Sequence, residues 1–403
     1  MKHLFRILFI LLASVLALLL LLMVVIQIPA VQSEVASKVM ERVNEQFGTQ
    51  VKIGKVNINY LGNVKLYQVT AKDHRNYEFI NIPQLTAEIS WLDLYRNSNH
   101  VNINAATLVN PRVDVFTYLG EEKSNFIKFI DKFVLEDSTR GDSEFVLRGN
   151  LEIQNGKLKI INHNLVQNSK VLLDANRLNA RLEKISVEGK TYIARIKKLR
   201  FDAVKNREKY QLKDLTTNFK MTDKGLFFND LNLETQSSHL NGFLHLTYNH
   251  ISQFSNFSDR VEWNAKFTEK SKFAYKDLRY FVPNWQENQV FSLSGEVKGF
   301  INNLSLKKFS LKNKETYIDA QYLNFQNLMK DGFSLSGQDL NLATSYTELK
   351  QILPQNYTQY ITDFIARFGK MNYVGNFSLD GKYLRAKGFA STKLGNGQLD
   401  LVL

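Results

Sequence analysis

Residue types able to do chemistry are present in this chain, but their spacing assembles no recognisable site. The seven histidines are dispersed. His239, His245 and His250 fall in or near strand-like segments, with no acidic residue at a metal-ligand spacing, and read as ordinary surface residues. There is no G-x-S-x-G, no phosphate-cradling glycine loop and no H-E-x-x-H. Gly295 and Gly299 stand in the alternating run Leu293-Ser294-Gly295-Glu296-Val297-Lys298-Gly299, where they relieve curvature or mark bulges rather than bind phosphate. Glu121 and Glu122 read as loop charge. With no cysteine, neither a disulfide nor a cysteine metal site is possible. The chain therefore reads as a non-enzyme that needs no cofactor and no metal. What is left is a physical property, apolar side chains recurring at every second position.

The elements that must position such side chains are strands. Residues 136–144 form a polar loop and a boundary, and beyond it the pattern is monotonous. Leu231, Leu233 and Thr235 alternate with polar residues, as do Trp263, Ala265 and Phe267. Leu293 and Val297 follow, then Leu306, then Phe309, and Phe243 and Leu246 stand near Gly242. Asn, Gly, Asp or Lys turns separate the runs. The one convincing helical interruption is 346–368, punctuated by Pro354. The expected fold is mostly β, a long curled antiparallel sheet with a few short helices.

Such a sheet has an apolar face to cover and few helices to cover it. It must close on itself, pack as a sandwich, or curl into a trough. An open trough is a large exposed apolar patch, which usually means a ligand or partner. Alternation selects Leu231, Leu233, Phe243, Trp263, Phe267, Leu293, Val297, Leu306 and Phe309 as lining candidates. The same residues serve equally well as the filling of a closed core.

Ahead of the strands lies an uncharged apolar run from Ile7 to Ile26, with Leu12, Leu16, Leu20 and Val24 along it. At ~1.5 Å per residue a helix of this length spans the ~30 Å hydrocarbon core of a bilayer. Lys2, His3 and Arg6 precede it and favour a cytoplasmic N-terminus. The run is longer than a signal-peptide core, and residues 28–33 make a poor cleavage site. A single-pass anchor is the expectation, and an acyl chain is the natural ligand of a trough tethered there. Residues 29–47 read as an amphipathic helix, with Val31, Val35, Val39, Val43 and Phe47 recurring every fourth position. It would gate the membrane end of the trough or simply cap the sheet.

The chain has 403 residues, and its 44% hydrophobic content is ample for a core. The net charge of +13 raises nucleic acid as a partner. Its basic residues are scattered singly, as at Lys157, Lys159, Arg177 and Arg181, which favours a solvated strand face. Mild attraction to anionic lipid headgroups is a secondary consequence. Three segments result: 1–28, stub and anchor; 29–140, an N-terminal cap of amphipathic helix plus strands; and 141–403, the repetitive sheet. Residues 398–403 form a strand that runs into the C-terminus without a cap or proline, which suggests a longer chain or a partner at that edge.

The order of several loose motifs resembles the AsmA-like superfamily, and its TamB-type (translocation and assembly module) branch most closely. They are Ile28-Pro29-Ala30-Val31-Gln32, then Phe47-Gly48-Thr49-Gln50-Val51-Lys52-Ile53-Gly54-Lys55-Val56, then Leu108-Val109-Asn110-Pro111-Arg112-Val113-Asp114-Val115 with Ser124-Asn125-Phe126. Phe368-Gly369-Lys370, Gly375-Asn376-Phe377, Ser391-Thr392-Lys393-Leu394-Gly395 and Leu399-Asp400 complete the series. The resemblance implies an inner-membrane anchor and a periplasmic β-groove (β-taco). It implies phospholipid transport between inner and outer membranes, with inner-membrane phospholipids as partners and outer-membrane homeostasis as the outcome. The alternative it implies is a scaffold for translocation and assembly of outer-membrane or secreted proteins, with an outer-membrane β-barrel partner. TamB-like chains continue much further than this one.

Overall fold

A computed structural model describes residues 29–59, 63–89, 100–132, 146–165, 170–188, 191–205, 208–280, 289–328, 330–352, 363–380 and 383–402. The protein is mostly β, with nineteen strands among these residues. It divides into two compact units, the first holding residues up to Asn179 with 185–189, the second 180–184 and everything from Lys190 onward. The boundary expected near residue 140 lies outside the described residues.

The amino-terminal unit begins with helix α1 (Pro29–Phe47), ending at Gly48, whose φ of 59° is the left-handed conformation of a helix stop. Strands β1 (Val51–Ile58), β2 (Asn63–Lys72) and β3 (Glu78–Ile89) pair antiparallel in order. Helix α1 lies against β1 and bonds its backbone through side chains. The Gln32 amide donates to the Ile58 carbonyl (2.8 Å) and accepts from the Ile58 N–H (2.7 Å). The Asn44 amide does the same at Val51, at 2.8 Å both ways. Ser33 Oγ accepts from the Val56 N–H (3.2 Å). An unpaired strand edge is a template for aggregation, and here polar side chains of a helix occupy it. Through these contacts the helix covers the free edge of β1.

The large curved antiparallel sheet that the sequence suggests is present, with parallel pairing at one place. β4 (His100–Val109) and β5 (Arg112–Thr117) both pair parallel with β6 (Val146–Asn162), β4 along its first half and β5 along its second. Asn110 (φ 51°) and Pro111 separate the two short strands, and the ladder bridges the gap through Asn110 N–H to Gln154 O (2.8 Å) and Lys157 N–H to Pro111 O (2.7 Å). Parallel neighbours require a crossover of a dozen or more residues. The connection that follows β5 carries helix α2 (Asn125–Asp131). Strand β7 (Val171–Glu188) follows, and the division between units falls within it.

The carboxy-terminal unit is an antiparallel meander. β8 (Thr191–Lys205), β9 (Glu208–Thr222), β10 (Gly225–Thr235), β11 (His239–Thr247), β12 (Glu262–Ala274) and β13 (Val290–Phe300) pair consecutively. So do β14 (Asn303–Lys312), β15 (Tyr317–Gln326), β16 (Ser334–Ser345), β17 (Lys370–Asp380), β18 (Leu384–Thr392) and β19 (Gly395–Val402). Bulges recur at neighbouring places, marked by register shifts at 228/231, 267/271, 294/296 and 337/340. Asp230, Gly295, Lys308 and Asp339 have positive φ there. Each bulge adds local twist and bends its strand, so aligned bulges crease the sheet. The backbones approach closely along this crease: a Cβ at Gly242 would stand 1.8 Å from the Lys266 carbonyl oxygen.

Candidate functional site

Direct cross-strand partners in an antiparallel pair share a face. One register row crosses the whole carboxy-terminal unit, from β8 to β19. It runs Ala194, Phe219, Phe228, Leu244, Ala265, Val297, then Leu306, Leu323, Gly337, Phe377, Ala386 and Leu401, each the direct partner of the next. No polar side chain interrupts it. Around it Leu306, Ala320, Leu323 and Leu340 form a buried cluster, with Val297, Phe309, Ile318 and Tyr373 packed on it half-buried. A second cluster of Leu212, Leu215 and Leu231 carries Phe228, Leu233 and Leu244.

All the alternation-selected residues except one share this face. Trp263 is opposite Leu246, Phe267 opposite Gly242, and Leu293 opposite Leu311, while Leu231, Leu233, Val297, Leu306 and Phe309 belong to the two clusters. Phe243 is the correction. It pairs with Lys266 and stacks 4.8 Å from the His245 ring on the opposite, polar face. His245 is not a plain surface residue either. It lies half-buried between Phe243 and Phe227, bonds Asn229 at 2.8 Å, and burial lowers its pKa.

Short helices from the strand connections cover the ends of this face, and alternation did not reveal them. Between β11 and β12 a 3-10 turn (Ile251–Asn256) leads into helix α3 (Phe257–Arg260), and Phe257 sits edge-on to Trp263 at 5.9 Å. Asn302, in the β13–β14 turn, donates to Asp259 (2.7 Å) and fixes α3 across the strands. The indole N–H of Trp263 is buried beneath this cover with no hydrogen-bond partner among the described residues. At the other end helix α4 (Tyr275–Leu278) follows β12. Its Asp277 carboxylate accepts from the hydroxyls of Thr235 (2.5 Å) and Ser238 in the β10–β11 turn. Tyr280 then reaches Tyr210 of β9 (5.5 Å), and Arg279 pairs with Glu208 (2.6 Å). Burial first, then the charge of Asp277 and the Tyr280 ring, push the Tyr210 phenol up to about 12. The helical interruption expected over 346–368 resolves into helix α5 (Tyr346–Ile352) and a 3-10 helix (Asp363–Phe368).

A second constellation lies in the amino-terminal unit, and the sequence did not disclose it. Asp73, in the β2–β3 turn, is buried. Its Oδ1 accepts the N–H groups of Arg75 (2.8 Å) and Tyr77 (3.0 Å), and its Oδ2 accepts Tyr118 Oη (2.6 Å) and Asn125 Nδ2 (3.1 Å). Burial raises its pKa, but those bonds outweigh burial and hold it below the usual value. Asn125 makes two further acceptor bonds, from Phe116 N–H (2.8 Å) and Phe126 N–H (2.7 Å). Glu121, read above as loop charge, instead receives His74 (3.0 Å), Arg75 (2.6 Å) and Lys128 (2.9 Å). Desolvation opposes its ionisation, yet these three donors hold its carboxyl at about 2. Both oxygens of Asp73 and of Glu121 are engaged as acceptors. Among the described residues no group of three His, Asp or Glu is placed to hold a metal ion.

The anchor residues Ile7, Leu12, Leu16, Leu20, Val24 and Ile26 lie outside the described residues, as do the side chains of Val31, Val35, Val39 and Val43. Phe47 is half-buried at the end of α1. No helix among the described residues is long and apolar enough to cross a membrane. No protein-family model matches the chain, and no curated protein matches it.

Proposed function

We propose that the apolar face of the carboxy-terminal unit shelters the acyl chains of phospholipids, on a protein anchored in the inner membrane by residues 7–26. The headgroups stay in water along the open seam, and no covalent chemistry is involved. The observation that carries this reading is the register row from Ala194 to Leu401, apolar in every strand it crosses. At ~4.8 Å per strand its contour is ~50 Å, more than the ~30 Å thickness of a bilayer core. Each CH₂ kept from water is worth ~0.8 kcal/mol, so a diacyl lipid is strongly retained on such a surface. The resemblance to AsmA-like, TamB-type proteins supports the same reading and suggests traffic between inner and outer membranes.

The test is a photo-crosslink. A photoreactive amino acid replaces Val297, which faces the apolar cluster, and in a second variant Lys298, which is exposed on the other face. After irradiation of cells the protein is purified and weighed by mass spectrometry. Phospholipid adducts at 297 and none at 298 are the expected result. Adducts at neither position, in a folded protein, would sink the lipid reading and leave a closed core or a scaffold for outer-membrane protein assembly.

A further inference from the structure

The polar face of the same unit is uneven in charge. Strands β8 and β9 together carry eight Lys or Arg against three Asp or Glu. Between Ile196 and Phe201, both turned to the apolar side, Lys197 and Lys198 are both exposed, with Arg195 and Arg200 on either side. Among the described residues none of these four cations has an ion pair. Elsewhere on this unit some basic side chains are matched, as in Lys266 with Glu296 and Lys312 with Asp319, both at 3.2 Å, and others such as Lys272 and Lys298 stand singly; β8 differs in bringing four together. Four unmatched like charges on one exposed strand set up a local positive potential that attracts an anionic surface.

Apolar groups frame the cations. Ile193 is 43% exposed and Val204 is 53% exposed, at the two ends of the same face of β8. Ile193 opens a cross-strand row through Lys220 and Phe227 to His245. A nucleic acid would be met by cations and stacking rings, but it has no use for exposed aliphatic side chains at the margins. A bilayer surface uses both, with cations on headgroup phosphates and aliphatic tips among the glycerol esters. We infer that the polar face of β8 and β9 docks on an anionic lipid surface. This inference does not depend on what the apolar face carries.

The absence of cysteine allows a local readout in the full chain, independent of any insertion by residues 7–26. Val204→Cys is labelled with an environment-sensitive fluorophore. The protein is titrated with vesicles of phosphatidylcholine alone, or with one-third phosphatidylglycerol. The expected result is a blue shift with the anionic vesicles only, reversed by salt. Arg195, Lys197, Lys198 and Arg200 changed together to Gln should weaken it at least ~100-fold, each basic contact being worth about five-fold. The far-UV circular dichroism of that variant should match the parent. The same four residues changed to Glu should abolish the shift. An equal shift with neutral vesicles, or a shift that survives the Gln variant, would overturn the inference. So would a shift produced by RNA or by an acidic protein at lower concentration than by vesicles.

Discussion

The two units bury different things. The amino-terminal unit places carboxylates and an amide at its centre, with Asp73, Asp114 and Asn125 all under 5% exposed. The carboxy-terminal unit is filled chiefly with hydrocarbon, Phe291 and Leu340 among its most buried residues, although Ser271 and Asn302 are buried as deeply and the amino-terminal unit has its own buried ring in Phe79. Hydrogen bonds are directional and costly to leave unmade, so the first unit is held by geometry. Apolar packing is additive and tolerant of strand-by-strand repetition, so the second can be extended along a row without new solutions.

The sharpest way to break this contrast is to cut one member from each side. Phe291→Ala removes a fully buried ring packed 5.3 Å from Tyr275, and should cost ~3–5 kcal/mol in denaturant unfolding. Amide exchange should report the loss over residues 290–345 while leaving 73–128 protected. Asn125→Ala should do the reverse. It strands the Phe116 N–H and the Asp114 carbonyl and removes one donor from Asp73, for ~2–4 kcal/mol centred on the amino-terminal unit.

Acid should separate the units by a smaller amount. The folded pKa of Glu121 is depressed from 4.5 to about 2, so its contribution is complete above pH 4.5 and is lost as pH falls towards 2. Asp73 is depressed as well and acts in the same direction. Discounting for solvent screening, Glu121 is worth about 1–2 kcal/mol. Exchange protection of residues 73–128 should therefore fall between pH 4.5 and 2 before that of 290–345. Simultaneous loss would mean that the carboxylates do not hold the first unit. The smallest effect is expected at Trp263→Phe. It gives up ring area but also an N–H that has no partner, so the net change should stay within ~1 kcal/mol by the same unfolding measurement.

How much of this the sequence disclosed follows from the range of each signal. Alternation is local, and it placed Leu231, Leu233, Val297 and Leu306 on one face. It failed at Phe243 because the apolar phase of β11 runs through Leu240, Gly242, Leu244 and Leu246. A glycine in that phase leaves the larger neighbour looking like the apolar position. Bulges at Lys308 and Asp339 reset the phase, and no glycine or proline marks them. Helices of four residues, such as 257–260 and 275–278, are too short to show a period. The Asp73 constellation joins side chains about fifty positions apart, and only the folded chain brings them into reach. Parallel pairing of β6 was hidden for the same reason, since hydropathy carries no sign of strand direction.

The seal between α1 and β1 makes the helix a ruler. Its two amides lie twelve residues apart and meet backbone seven residues apart, running in the opposite direction. The helix advances ~1.5 Å per residue and the strand ~3.3 Å, giving ~18 Å against ~23 Å, a mismatch that the side chains span. Substitutions between Gln32 and Asn44 leave this measure intact. A single residue inserted or deleted there does not, because it turns one amide about 100° away from the other. For this stretch of chain, spacing is constrained more tightly than composition, Ser33 excepted, whose hydroxyl bonds the Val56 N–H.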